Sequence, residues 1–187
     1  MTMKLPMLLA VSALLAVPLA AQAVTYQFNA SLTGGQQFPT PVVTAATGLA
    51  TLFYDDMNTP GTGDDSFSFS MFASGLGSAA TMFHIHAAAG VGANAGPKVF
   101  LDAAPFVSSN PGGLLLVGGS GVSTPYAAFL TDLQAGMAYV NVHTVAYGGG
   151  EIRGQLMQVA VVPEPSTYAL MLAGIGMMGM LARRRRG

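Results

Sequence analysis

Hydrophobic and polar positions alternate along the middle of this chain in short runs, each closed by a break rich in glycine, proline or serine. Tyr26-Gln27-Phe28-Asn29-Ala30 is the first run, ended by Thr33-Gly34-Gly35. Between Gly48 and Tyr54, Leu49, Thr51 and Phe53 alternate with Ala50, Leu52 and Tyr54; after a long polar turn, Phe67, Phe69 and Met71 alternate with Ser68 and Ser70. A period of two is the mark of a strand with one buried face. The same reading predicts strands over 80–86, 114–118, 137–144 and 151–159. One short helix is predicted from Thr124 or Pro125 to Ala135, with Gly136 at its end. Strands spaced this way without a long helix predict an all-β fold, an antiparallel β-sandwich or barrel.

The two ends read differently. Lys4, an apolar stretch from Leu5 to Leu19 and then Ala20-Ala21-Gln22-Ala23 make a positive start, a hydrophobic middle and an Ala-x-Ala cleavage signal at Ala21 and Ala23. Residues 1–23 are therefore expected to be a signal peptide. At the other end Pro163-Glu164-Pro165 precede an uncharged apolar run, which closes on Arg183, Arg184, Arg185 and Arg186. As a helix over 166–182 the run would rise roughly 25 Å, a little short of a bilayer core. One C-terminal transmembrane helix is expected there, its arginines on the cytoplasmic side. The order Pro-Glu-Pro, apolar span, basic cluster resembles the PEP-CTERM sorting signal of Gram-negative bacteria. That resemblance implies use of the export machinery and an inner-membrane intermediate. It also implies cutting by an exosortase near Pro163-Glu164-Pro165 and a final place at the cell surface or outside the cell. The physics of the span alone equally permits an ordinary anchor.

Setting the ends aside changes the composition. The whole chain carries a formal charge of −1 and a mean hydropathy of +0.51, but seven of its twelve methionines and five of its seven Lys and Arg residues stand in the two terminal segments. The segment 24–160 is long enough for one domain with its own core. It holds Lys98 and Arg153 against six aspartates and Glu151, a net charge of −5. Nucleic acid is not an expected partner, since no basic patch exists to neutralise phosphates. There is no cysteine, so burial or a bound ligand must replace a disulfide framework.

The three histidines lie on two of the predicted strands. Alternation sets Phe83 and Ile85 on one face of their strand, with Met82, His84 and His86 on the other. In the next strand Val140 and Val142 oppose Tyr139, Asn141 and His143; in the last, Ile152 and Leu156 oppose Glu151, Arg153 and Gln155. Once the apolar faces turn to the core, one opposite face collects His84, His86, Asn141, His143, Glu151 and Arg153. Histidines at i and i+2 stand about 6.6 Å apart along a strand, and a third from a neighbouring strand completes a set of imidazole ligands suited to copper or zinc. Histidines bonded to adjacent strands and loops at the surface are the competing reading. Met82 would be a soft fourth ligand for copper, or simple packing.

Phe83-His84-Ile85-His86, Gly96-Pro97, Gly136, Tyr139-Val140-Asn141-Val142-His143-Thr144 and Gly150-Glu151-Ile152-Arg153-Gly154-Gln155-Leu156 resemble the chordin-like, or CHRD, domain. Leu32-Thr33-Gly34, Gln36 and Ala46-x-Gly48-x-Ala50 fit the same pattern. The resemblance runs from Phe28 to about Gln158 and implies no established activity in bacteria. The animal chordin's antagonism of growth factors is attributed to other modules. A more distant similarity is to copper–zinc superoxide dismutase, in the His-x-His strand, the loop to Gly96-Pro97, the late His143 and the following Arg153. That enzyme's zinc histidines and disulfide have no counterpart here, and Lys98 stands where a histidine would follow Gly-Pro. A dismutase-like sandwich with a three-histidine copper site and no zinc remains compatible.

Asp55, Asp56, Asp64 and Asp65 flank a turn without the spacing of a calcium loop, and read as solvated hairpin acids. The glycine pairs at 112–113 and 118–119 lack the pattern of a phosphate loop. The expected organisation is a signal peptide (1–23), a CHRD domain (24–160) and a sorting signal (161–187). The expected function is that of an exported, non-enzymatic envelope protein associated with exopolysaccharide or extracellular matrix. The alternative is a copper-binding or redox protein using His84, His86 and His143.

Overall fold

A computed structural model describes residues 23–59, 61–159 and 165–185. The expected signal peptide lies outside the described residues, apart from Ala23, as do Pro163, Glu164 and Arg186. Among the described residues ten strands form: β1 (Val24–Thr33), β2 (Thr47–Asp56), β3 (Ser66–Ser74), β4 (Ala80–Ala87), β5 (Pro97–Phe100), β6 (Val107–Ser109), β7 (Leu115–Ser123), β8 (Ala138–Thr144), β9 (Ile152–Gln155) and β10 (Met157–Gln158). Helix α1 (Phe129–Gln134) is shorter than expected. It begins only at Phe129 and ends just before Gly136, whose φ of +65° is the left-handed conformation that closes a helix. The predicted strand over 151–159 breaks in two at Leu156.

All pairings are antiparallel, and the strands form one sheet in the order β5-β4-β8-β9-β1-β2-β3-β7-β6, with β10 also on β1. The sheet curls on itself at the β9–β1 junction, where Thr33 faces Arg153. The all-β expectation holds. β5 and β6 were not foreseen, since four and three residues are too few to show a period of two.

The alternation decides what is buried. Phe28 and Leu32 of β1, Leu52 and Tyr54 of β2, and Phe67, Phe69 and Met71 of β3 point inward. They meet Phe83 and Ile85 of β4, Val140 and Val142 of β8, and Ile152 of β9 in a single core. Phe129 and Leu133 of α1 plug this core, Phe129 lying 5.4 Å from the Phe67 ring in an edge contact. Among the described residues, none of the C-terminal helix joins the core, which the strands and α1 fill between them. Asp65 departs from the solvated reading. It is 5 % exposed and accepts bonds from the Tyr54 hydroxyl at 2.8 Å and the Met57 amide at 3.1 Å.

β8 and β9 are buried along their whole length, on both faces. Their inner face meets the core, and their outer face lies beneath the segments around 37–44, 89–95 and 147–150, which hydrogen bond to it. The polar face inferred from alternation is therefore not a solvent face.

A helix, α2 (Pro165–Arg184), forms where the transmembrane span was expected. Among the described residues, however, no helix is long and apolar enough to cross a membrane.

Candidate metal centre

The register between β4 and β8 builds the site. His84 stands opposite Asn141, His86 opposite Tyr139, and His143 opposite Met82. The three histidines thus occupy alternate positions on one face of two neighbouring strands. Each offers one ring nitrogen, and the three nitrogens lie within 4.8 Å of one another. The ring centroids are 5.4 Å apart for His84 and His143, 5.6 Å for His84 and His86, and 6.3 Å for His86 and His143.

None of the three is a surface side chain: their exposures are 5, 8 and 8 %. His86 Nδ1 lies 2.8 Å from the Ala95 carbonyl, and His143 Nδ1 lies 2.9 Å from the Gly148 carbonyl. A carbonyl can only accept, so both Nδ1 atoms carry the proton and both Nε2 atoms keep a free lone pair. Those two Nε2 atoms, and both ring nitrogens of His84, are buried without a hydrogen-bond partner. Native interiors rarely leave such atoms unpaired, because the desolvation is uncompensated. Metal-bound histidines commonly show the same division of labour, one nitrogen on a backbone carbonyl and the other on the ion.

Burial favours the neutral form of His84 and His86. Burial pushes His84 below its ordinary value, opposed by Asp102 and assisted by His143. Burial pushes His86 down to about 4, the bond to Ala95 opposing and the neighbouring His84, His143 and Arg153 assisting. A deprotonated imidazole is the form that ligates metal.

Arg153, 2 % exposed, closes one side. Its guanidinium carbon lies 3.5 Å from the centre of the Tyr139 ring, against which His86 also stacks at 4.8 Å and 7°. Its donors reach Asn94 Oδ1 at 2.9 Å and the Ala93 carbonyl at 2.7 Å. Burial pushes this guanidinium below its ordinary value, the Tyr139 hydroxyl opposing. Arg153 thus holds the 89–95 segment over the histidines.

A profile of the CHRD domain matches residues 28–156, more than two thirds of the chain. The chain belongs to the CHRD domain family. The matched span contains all three histidines, Arg153 and Glu151, together with every loop that covers them. No curated protein and no solved structure matches the chain. The PEP-CTERM protein-sorting motif matches residues 161–186. This CHRD protein is accordingly an exported bacterial protein, sorted toward the cell surface by exosortase-dependent processing.

Within the CHRD domain the expected polar residues divide into two groups. His84, His86 and His143 converge. Asn141, Glu151, Arg153 and Gln155 share their face but are occupied in fastening loops. Asn141 Oδ1 accepts from Gln37 Nε2 at 2.6 Å, and Gln155 Nε2 donates to the carbonyls of Ala89 and Gly136. Glu151 is fully buried; it accepts from Thr44 Oγ1 at 2.7 Å, the Gly77 amide at 2.9 Å and Thr144 Oγ1 at 2.8 Å. It is a tie between strands and loops. Met82 is 43 % exposed on the same face.

Gln37, Asn94 and the stacking role of Tyr139 were not singled out from the sequence. Gln37 and Asn94 sit in irregular segments, where no periodicity tells which way a side chain faces. Gly150 opens the last of the family motifs, and its backbone explains why a glycine stands there. At φ +119° it passes so close that a Cβ would come within 2.5 Å of Asn141 Oδ1 and 2.7 Å of Gln37 Nε2.

Proposed function

We propose that this CHRD domain holds one copper or zinc ion through His84, His86 and His143 and displays it at the bacterial cell surface. The observation that carries the reading is the set of four buried, unpartnered imidazole nitrogens on residues whose ligand atoms lie within 4.8 Å. Three neutral nitrogen donors suit zinc and copper, whereas magnesium and calcium call for oxygen ligands. The role is binding and not catalysis, because the polar side chains around the imidazoles are already engaged in holding loops. The place of action is the envelope, in association with exopolysaccharide or extracellular matrix. The sorting motif supports that place: the tail would pass through an inner-membrane intermediate and be cut near Pro163-Glu164-Pro165 in a Gram-negative host.

Metal content of the isolated domain, residues 24–162, tests this. We expect about one copper or zinc per chain by elemental analysis. Each of His84→Ala, His86→Ala and His143→Ala should remove most of the binding, since two imidazoles leave an open, weak site. A domain that folds normally yet titrates with copper and zinc to no effect would sink the proposal.

A further inference from the structure

The other half of the curled sheet presents an outer face that carries almost no charge. Among β1, β2, β3, β6 and β7 the only charged side chains are Asp55 and Asp56, at the end of β2. The strand registers arrange the rest of that face into rows. One row runs Ser31, Leu49, Phe72, Leu116, Ser109 across five strands. Its three central members are 65, 45 and 49 % exposed. Three apolar side chains thus stand abreast over about 10 Å, with neighbouring strands about 4.8 Å apart. The next row, Asn29, Thr51, Ser70, Gly118, Val107, is uncharged and ends in a Val107 that is 75 % exposed. A shallow depression of about 270 Å³ opens beside Leu49 and Phe72, lined also by Ser31, Thr47 and Gly48.

We infer that this face pairs with the same face of a second copy of the chain. The charge distribution selects that occupant. Two domains of net charge −5 repel one another wherever their acids meet, and this face keeps its centre free of acids. It also offers no ionic handle by which a charged partner would be chosen. The row is self-complementary, because Phe72 stands at its middle. A two-fold axis along the strand direction through Phe72 sets Leu49 of one copy against Leu116 of the other. The result is an aligned sheet-on-sheet packing with an apolar centre and a hydroxyl rim. The same axis sets the two Phe72 rings against each other at the centre of the contact. Sorting delivers many copies to one surface, which raises the frequency of encounters between like chains. None of this depends on metal at the histidines.

Sedimentation equilibrium of the isolated domain in EDTA is the test. We expect a monomer–dimer equilibrium whose dissociation constant Phe72→Glu raises about 30-fold or more, the scale of a central interface anchor. Leu49→Glu should act in the same direction. Val145→Glu, at a site 71 % exposed outside this sheet half, should leave the dimer intact, as should His84→Ala. Because Phe72 is half exposed, circular dichroism and the melting curve of Phe72→Glu should match the wild type. A domain monomeric at millimolar concentration, or a dimer indifferent to Phe72→Glu, would overturn the inference. So would a monomer that binds an insoluble neutral polysaccharide through Phe72, which would make the face a carbohydrate platform.

Discussion

Glu151 offers a sharp discrimination, because its residue type suggests a metal ligand while its contacts make it a tie. Glu151→Ala strands three donors in the interior: the Gly77 amide and the hydroxyls of Thr44 and Thr144. The amide cannot turn away and loses its acceptor at about 1 to 3 kcal/mol; each hydroxyl loses about 1 kcal/mol net. The void adds a further term, offset in part by removal of a carboxylate that burial disfavours. The expected loss is about 3 to 4 kcal/mol. Glu151→Gln keeps the shape and one acceptor oxygen. Its amide group can donate to a rotated threonine hydroxyl, so the loss should be about 1 to 2 kcal/mol. Urea denaturation of the isolated domain measures both values, and copper titration under folding conditions measures stoichiometry. Destabilisation should follow that order while each folded variant still binds about one metal. If Glu151→Gln folded as well as wild type but lost its metal as the histidine variants do, the carboxylate would be a ligand and the assignment wrong.

Metal-free domain should lose stability on mild acidification. His84 and His86 have folded values below the unfolded 6.5, so the unfolded chain binds more protons below that pH. Their contribution is intact above about pH 6.5 and is lost as pH falls below it, for His86 down to about 4. For His86 alone the loss by pH 5 is about 1 to 2 kcal/mol after allowance for solvent screening. Urea midpoints in EDTA that are equal at pH 7 and 5 would contradict it. Arg153→Ala should cost about 2 kcal/mol, through its bonds to Asn94 and Ala93 and its stacking on Tyr139. It should leave metal stoichiometry unchanged; loss of binding together with unchanged stability would make Arg153 part of the metal site and not a fastener of the 89–95 segment. Replacing Pro163-Glu164-Pro165 by alanines should leave an uncut precursor in the membrane fraction. Normal trimming and release of that variant would favour a plain anchor.

The alternation of apolar and polar residues by itself determined the longer strands and which face of each would be buried, but not β5 and β6, which are too short to show it. A period of two leaves each side chain only one of two sides, and the core accepts only the apolar one. Phe83, Ile85, Val140, Val142 and Ile152 were legible in this way, and with them the common outward side of His84, His86 and His143. The family motifs were legible for the same reason, being local strings. What the sequence left open was whether β4 and β8 are neighbours. Fifty residues separate the two strands, and only pairing across the sheet, with His84 opposite Asn141, brings the three imidazoles within reach of one ion. The cover over that face was equally invisible. The segments carrying Gln37, Asn94, Ala95 and Gly148 have no periodic pattern, and their positions come from hydrogen bonds to the sheet. Those bonds turn a polar strand face into a buried one, because backbone carbonyls at Ala95 and Gly148 take the Nδ1 protons and leave the Nε2 lone pairs facing inward.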